Sequence, residues 1–158
     1  MVSVNDKILD FLLPSDSGIE IMLSDFSDRN VIIYFYSKDN TKGCTCHALG
    51  YKELYPEFKK LNTEIVGISK DTIASHKKFK EKYELPFILV SDPDKDAITK
   101  YDVLREKNMY GKKVMGVLRT SIVIKNGIIV KTSYNTNSKD DAINNLNYLK
   151  SNVIHVKD

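Results

Sequence analysis

The chain reads as an α/β fold with a central mixed sheet flanked by helices, and three observations predict it. Three apolar runs, at residues 31–36, 64–69 and 87–90, are too short for helices and rich in β-branched or aromatic residues, as buried strands are. Between them lie longer stretches whose apolar residues recur at helical spacing. Asn126-Gly127 separates two further apolar runs, and Asn-Gly is the strongest short-range hairpin signal. Strands alternating with helices give parallel central strands, and a closing hairpin adds antiparallel ones.

In chain order, residues 8–26 form a short entry segment, whose first stretch, Ile8 to Pro14, ends in a turn at Ser15-Asp16-Ser17-Gly18. Ile19-Glu20-Ile21 alternates like a short strand, and Leu23-Ser24-Asp25-Phe26 begins a turn. Residues 31–36 are the first buried strand. From Cys44 to about Leu61, the residues Ala48, Tyr51, Leu54, Tyr55, Phe58 and Leu61 make a helical stripe. Residues 64–69 are the second strand. Asp71 is suited to cap a helix carrying Ile73, Phe79 and Tyr83, and Pro86 stops it. Residues 87–90 form the third strand, and Ser91-Asp92-Pro93 opens a helix through Tyr101. Residues 105–118 are Lys-rich, Gly-punctuated and irregular. A hairpin follows from Arg119 to Lys131. Ser138 is suited to cap the last helix, with Asp140 and Asp141 in its first turn and Ile143, Leu146 and Leu149 on one face. The tail from His155 to Asp158 is expected to fray. This is the thioredoxin-like layout, expected to form one domain over residues 1–158.

Composition narrows the function classes. The 158 residues are 42% apolar and 28% charged, with a net charge of +3, as in an ordinary soluble protein. Lysines alternate with acids, as in Lys77-Lys78-Phe79-Lys80-Glu81-Lys82. A nucleic-acid footprint needs a one-sided basic surface, so no nucleic-acid partner is expected. No apolar run reaches the roughly 18–20 residues of a membrane span, and no secretory pattern is visible at the start. The two cysteines lie two residues apart and cannot staple a fold. They fit a reducing compartment, and a cytoplasmic location is expected.

Both cysteines lie in Tyr36-Ser37-Lys38-Asp39-Asn40-Thr41-Lys42-Gly43-Cys44-Thr45-Cys46, where a buried strand hands over to a helix. Unpaired backbone N–H groups and the helix dipole favour a thiolate there. A free thiol with a pKa of about 8.5 is only a few per cent ionised near pH 7, so full ionisation raises its rate little more than about tenfold. High reactivity also needs donors aimed at the oxygen on which charge develops. Thr41, one turn before Cys44, is placed to bring a hydroxyl to the sulfur. Gly43 lets a substrate approach the backbone. Arg119 opens an apolar strand, and only three of the 24 basic side chains are arginines. An arginine there needs an anionic partner, which a thiolate would supply. His47 reads as a first-turn surface residue, and His76 and His155 as structural or solvent-exposed.

The segment from Tyr34 to Thr45 resembles the active-site segment of peroxiredoxins, specifically the bacterioferritin-comigratory or peroxiredoxin-Q group. Asp10-Phe11 with Leu23-Ser24-Asp25-Phe26, Ser75-His76-Lys77-Lys78-Phe79 with Tyr83, Leu85-Pro86-Phe87 with Ser91-Asp92-Pro93, and Arg119-Thr120 are also similar. The resemblance implies reduction of hydrogen peroxide and organic hydroperoxides with no metal or bound cofactor. Cys44 would be the peroxidatic cysteine, oxidised to a sulfenic acid, while Thr41 and Arg119 orient the peroxide. Thioredoxin or another thiol would be the reductant, and the protein would be a monomer or weak dimer.

Three positions depart from the family pattern. Ser37 stands where the pattern has proline, which leads one to expect a wetter sulfur and a slower reaction. Lys42 stands where proline is usual. Leu49 stands where many members carry a resolving cysteine. Cys46 is the remaining candidate resolver. Residues i and i+2 of a helix point to nearly opposite sides, so a Cys44–Cys46 disulfide requires melting the first turn. Reduction of Cys44 by an external thiol is favoured on that geometry.

Two other functions compete. One is a thioredoxin-type thiol–disulfide oxidoreductase using Cys44 and Cys46, against which stand the Cys-Thr-Cys spacing and the lack of proline in Leu118-Arg119-Thr120-Ser121. The other is a metal-binding module using Cys44, Cys46 and His47, for which no fourth ligand is evident.

Overall fold

The computed structural model describes residues 1–157, with the side chains of Met109 and of residues 153–157 outside that description. Strands β1 (Leu12–Pro14) and β2 (Glu20–Met22) pair antiparallel and run into a 3-10 turn, Leu23–Phe26. Then come β3 (Asn30–Phe35), α1 (Lys42–Lys60), β4 (Thr63–Ser69), α2 (Ile73–Tyr83), β5 (Ile88–Ser91) and α3 (Asp96–Lys100). The chain closes with β6 (Leu104–Met109), β7 (Lys112–Val117), β8 (Thr120–Lys125), β9 (Ile128–Tyr134) and α4 (Asp141–Lys157).

The central sheet has the order β5-β4-β3-β8-β9. Strands β3, β4 and β5 run parallel, whereas β8 is antiparallel to β3 and β9 is antiparallel to β8. The mixed sheet flanked by helices is the thioredoxin-like arrangement. Strand β3 lies at its centre and is buried on both faces. Val31, Ile33 and Phe35 join one apolar cluster with Val66, Val90 and Ile122. Ile32 and Tyr34, with Tyr36 just past the strand, join another with Ala48, Tyr51, Phe58 and Leu146 from the helices. Burial on both sides explains why this run is continuously apolar. Asn126 and Gly127 have φ of +51° and +77°, the left-handed pair a tight hairpin needs.

Several expectations fail in detail. Residues 105–118 are not irregular: β6 and β7 form a hairpin turning at Tyr110-Gly111. Most of β7 is exposed, so the apolar alternation that marks a strand is missing. Thr72, not Asp71, caps α2, its hydroxyl accepting from the Ser75 N–H at 3.1 Å. That helix stops at Glu84, a left-handed residue, before Pro86 is reached. Helix α3 starts at Asp96, later than expected, with the Asp92 carboxylate accepting from the N–H groups of Asp96 and Ile98. Helix α4 starts at Asp141, and its buried face carries Ala142, Leu146 and Leu149, while Ile143 is exposed. The tail expected to fray from His155 is helical as far as Lys157, and only Asp158 falls outside the described residues. Among the described residues, no helix is long and apolar enough to cross a membrane.

Candidate active site

Strand β3 delivers the chain to a short loop beyond its carboxyl end, where open α/β sheets place their sites. Thr41, in extended conformation, is the N-cap of α1. Cys44 therefore sits in the first helical turn, with its side chain 1% exposed. Burial alone would push its thiol up. The Lys38 backbone N–H, the hydroxyls of Ser37 and Thr41, and the Arg119 guanidinium outweigh burial and lower the thiol to about 7. The Ser37 hydroxyl is 3.4 Å from Sγ, and Arg119 Nη2 donates to Sγ at 3.4 Å. The Thr41 hydroxyl also donates to the Lys38 carbonyl at 3.0 Å.

The expectation of a wetter sulfur at Ser37 is corrected. The sulfur is buried, and the serine hydroxyl faces it as a hydrogen-bonding group that proline would lack. Gly43 also has a different role from the one expected. A Cβ there would stand 3.0 Å from Arg119 Nη2, so the missing side chain makes room for the guanidinium.

His47 is fully buried rather than a surface residue. Its Nδ1 is 3.0 Å from Arg119 Nη1, and its Nε2 is 2.8 Å from Asp141 Oδ2. Burial, opposed by Asp141, lowers the imidazole below its ordinary value. Asp141, in the first turn of α4, is buried as well. It is 1% exposed and accepts from the hydroxyls of Tyr51, Ser121 and Thr136 as well as facing His47. Burial would raise its carboxyl, but these partners hold it below the usual carboxylate range.

The loop before α1 is pinned from the other side. The Asp39 carboxylate accepts from the hydroxyls of Tyr36 at 2.6 Å and Ser75 at 2.8 Å, and lies 2.7 Å from His76 Nδ1. The Asp39 N–H donates to Asp71 at 2.7 Å. His76 is thus structural, as read from the sequence, and it fastens the active-site loop to α2.

Comparison with known proteins is decisive about family. Residues 4–132 match the AhpC/TSA family. The chain belongs to that family. It is 41% identical over 129 residues to a putative peroxiredoxin bcp of Coxiella burnetii, covering 81% of this chain and 85% of that protein. It is 35% identical over 150 residues to peroxiredoxin Bcp of Bacillus subtilis, covering 94% and 96%. A cysteine-to-serine variant of Xylella fastidiosa PrxQ superposes with a TM-score of 0.92 at 31% identity, covering 97% of this chain and 98% of that one. A Xanthomonas campestris bacterioferritin comigratory protein, studied for alkyl peroxide reduction, superposes at 0.86 with 34% identity and coverage of 93% and 99%. The protein is a peroxiredoxin of the bacterioferritin-comigratory or peroxiredoxin-Q group, a thiol-dependent peroxidase.

In this peroxiredoxin the two cysteines are both free, Cys44 buried and Cys46 exposed. Their divergence is the one expected for residues i and i+2 of a helix. It leaves the thioredoxin-type reading without a preformed cysteine pair. It also separates the soft-ligand set of Cys44, Cys46 and His47, since Cys46 is exposed while Cys44 and His47 are buried. The structure places Arg119 Nη2 3.4 Å from the Cys44 sulfur and Thr41 at the N-cap of the helix that carries Cys44. The residues missed are Ser37 as a partner of the sulfur, the Lys38 N–H, and the pair His47 and Asp141. His47 follows Cys44 by three residues, which places both on one helix face; that signal was present in the sequence. Asp141 lies 94 residues from His47 and gives no local sign.

Proposed function

We propose that this peroxiredoxin reduces hydrogen peroxide and organic hydroperoxides at Cys44, within a single domain spanning residues 1–158. The thiolate attacks one peroxide oxygen, an S–O bond forms and the O–O bond breaks. The departing oxygen takes a proton and leaves as water or an alcohol, and Cys44 becomes a sulfenic acid. Two thiol equivalents then return it to the thiol and release water. Arg119 stabilises the thiolate and the charge developing on the leaving oxygen, and Thr41 orients the peroxide. Its hydroxyl donates to the Lys38 carbonyl at 3.0 Å and is among the groups that lower the Cys44 thiol, so rotation about its C–O bond can turn the proton toward the peroxide. The organic substrates are supported by the alkyl peroxide reduction of the similar Xanthomonas campestris protein.

The observation that carries the reading is a buried sulfur, lowered to about 7, with Arg119 Nη2 3.4 Å away. An external thiol, thioredoxin included, is the reductant, because Cys46 is exposed while Cys44 is buried and the two lie two residues apart on one helix. The protein works in the cytoplasm, where two cysteines this close in sequence stay reduced, and acts as a monomer or weak dimer.

Peroxide consumption by wild type, Cys44→Ser and Cys46→Ala, each supplied with dithiothreitol and then thioredoxin, tests this. Activity surviving in Cys44→Ser defeats the assignment. Loss in Cys46→Ala with thioredoxin alone shows that Cys46 resolves Cys44 after the first turn melts.

A further inference from the structure

We propose that His47 is a positioning residue: Asp141 fixes its Nε2–H tautomer, so that its bare Nδ1 accepts from Arg119 Nη1 and holds Nη2 on the Cys44 sulfur. The inference rests on the peroxidase reading above and adds a residue to the machinery.

The donor inventory fixes the tautomer. A guanidinium has five N–H donors and no acceptor. Its 3.0 Å contact with His47 Nδ1 is therefore a hydrogen bond only if Nδ1 carries a lone pair. The ring proton must then be on Nε2, which faces Asp141 Oδ2 at 2.8 Å. Asp141 is built to remain an acceptor. Its Oδ2 also accepts from the Tyr51 hydroxyl at 2.6 Å, and its Oδ1 from Ser121 and Thr136, each at 2.8 Å. These four donors meet the roughly four lone-pair sites of an ionised carboxylate. A carboxylic acid at this position would have to give up one of them.

The result is a chain of fixed polarity: Asp141 accepts from His47, His47 accepts from Arg119, and Arg119 donates to Cys44. It joins the start of α4 to α1 and the residue before β8. The guanidinium needs such a restraint, because it is only part-buried and its long stem has many rotamers. Gly43 leaves space for its Nη2 and His47 takes its Nη1. A guanidinium held in advance of reaction stabilises developing charge without reorganising when the peroxide arrives.

The test compares two rates at Cys44: oxidation by hydrogen peroxide and alkylation by iodoacetamide. Alkylation requires only an accessible thiolate, whereas peroxide reduction also requires the guanidinium in place. His47→Leu is expected to lower the ratio of oxidation to alkylation by about ten- to a hundredfold, somewhat less than removal of a whole oxyanion donor. His47→Gln keeps one acceptor and one donor on the side chain and is expected to recover part of that loss. An unchanged ratio in folded His47→Leu overturns the inference. Nitrogen-15 NMR of the wild-type ring gives a check that needs no variant. The expected signature is a neutral imidazole protonated on Nε2 at neutral pH, and an Nδ1–H or doubly protonated ring overturns it. If Cys44→Ser retains activity, the peroxidase reading itself fails. If wild-type Cys44 reacts rapidly with peroxide and the ratio ignores His47, only the positioning role fails.

Discussion

The Ser37 hydroxyl lies 3.4 Å from the Cys44 sulfur, at a position where the family pattern carries proline. Replacing it with alanine removes one hydrogen bond to a charged group and leaves the other partners in place. The thiol of Ser37→Ala is expected to rise from about 7 by roughly half a unit to one unit, about 1 kcal/mol. Peroxide reduction at pH 7 then falls about two- to fivefold, because less thiolate is present. Titration of the thiolate absorbance checks this, and an unmoved titration would show that the hydroxyl bonds elsewhere.

Wild-type activity should follow the ionisation of Cys44. With the thiol at about 7, roughly a tenth is thiolate at pH 6 and about nine tenths at pH 8. The second-order rate with hydrogen peroxide should therefore climb through pH 7 and level off by about pH 8. Stability follows the same sign. The folded thiol is depressed below the unfolded value of about 8.5, so ionisation stabilises the reduced protein fully above that pH. The contribution, on the order of 2 kcal/mol, is lost as pH falls through about 7. Denaturant melts at pH 6 and pH 9, with and without Cys44→Ala, isolate it; equal pH dependence in the two proteins would assign it to other groups.

Gly43→Ala should separate activity from stability. The added methyl stands 3.0 Å from Arg119 Nη2 and pushes it a few tenths of an ångström from the sulfur. Alanine is also the better helix former, by up to about 1 kcal/mol. Peroxide reduction is expected to fall several-fold while the melting temperature holds or rises. A fall in both would mean that the methyl disturbs the backbone of the first turn instead of the guanidinium.

The elements that read clearly from the sequence are those with a periodic signature. Strand β3 showed as a continuous apolar run because both its faces are covered, and the hairpin at Asn126-Gly127 showed because its turn demands two positive φ angles. Cys44 was legible from its place at a strand–helix junction, Thr41 from its spacing of one turn, and Arg119 from the rarity of arginine beside an apolar strand. The β6–β7 hairpin was not, since a strand exposed along most of its length has no apolar alternation to reveal it. Ser37 stands out in the sequence as a missing proline, but whether its hydroxyl meets solvent or sulfur depends on the turn of the loop. His47 and Asp141 are joined only by the packing of α4 against α1. No local pattern announces that contact.

The network around Asp39 leads to a prediction that couples stability to chemistry. Both ring nitrogens of buried His76 face oxygen acceptors, Asp39 Oδ2 at 2.7 Å and the Val90 carbonyl at 2.9 Å. Asp39 also accepts from Tyr36 and Ser75. His76→Leu removes one partner of a buried polar pair and leaves the carboxylate short of a donor, which typically costs about 1–3 kcal/mol. The same loop presents Ser37, the Lys38 N–H and Thr41 to the sulfur, so loosening it should raise the Cys44 thiol as well as lower the melting temperature. Denaturant unfolding and thiolate titration of the variant measure the two effects separately. A variant that melts early yet titrates like wild type would show that the sulfur's donors are held by α1 alone, without help from the contact with α2.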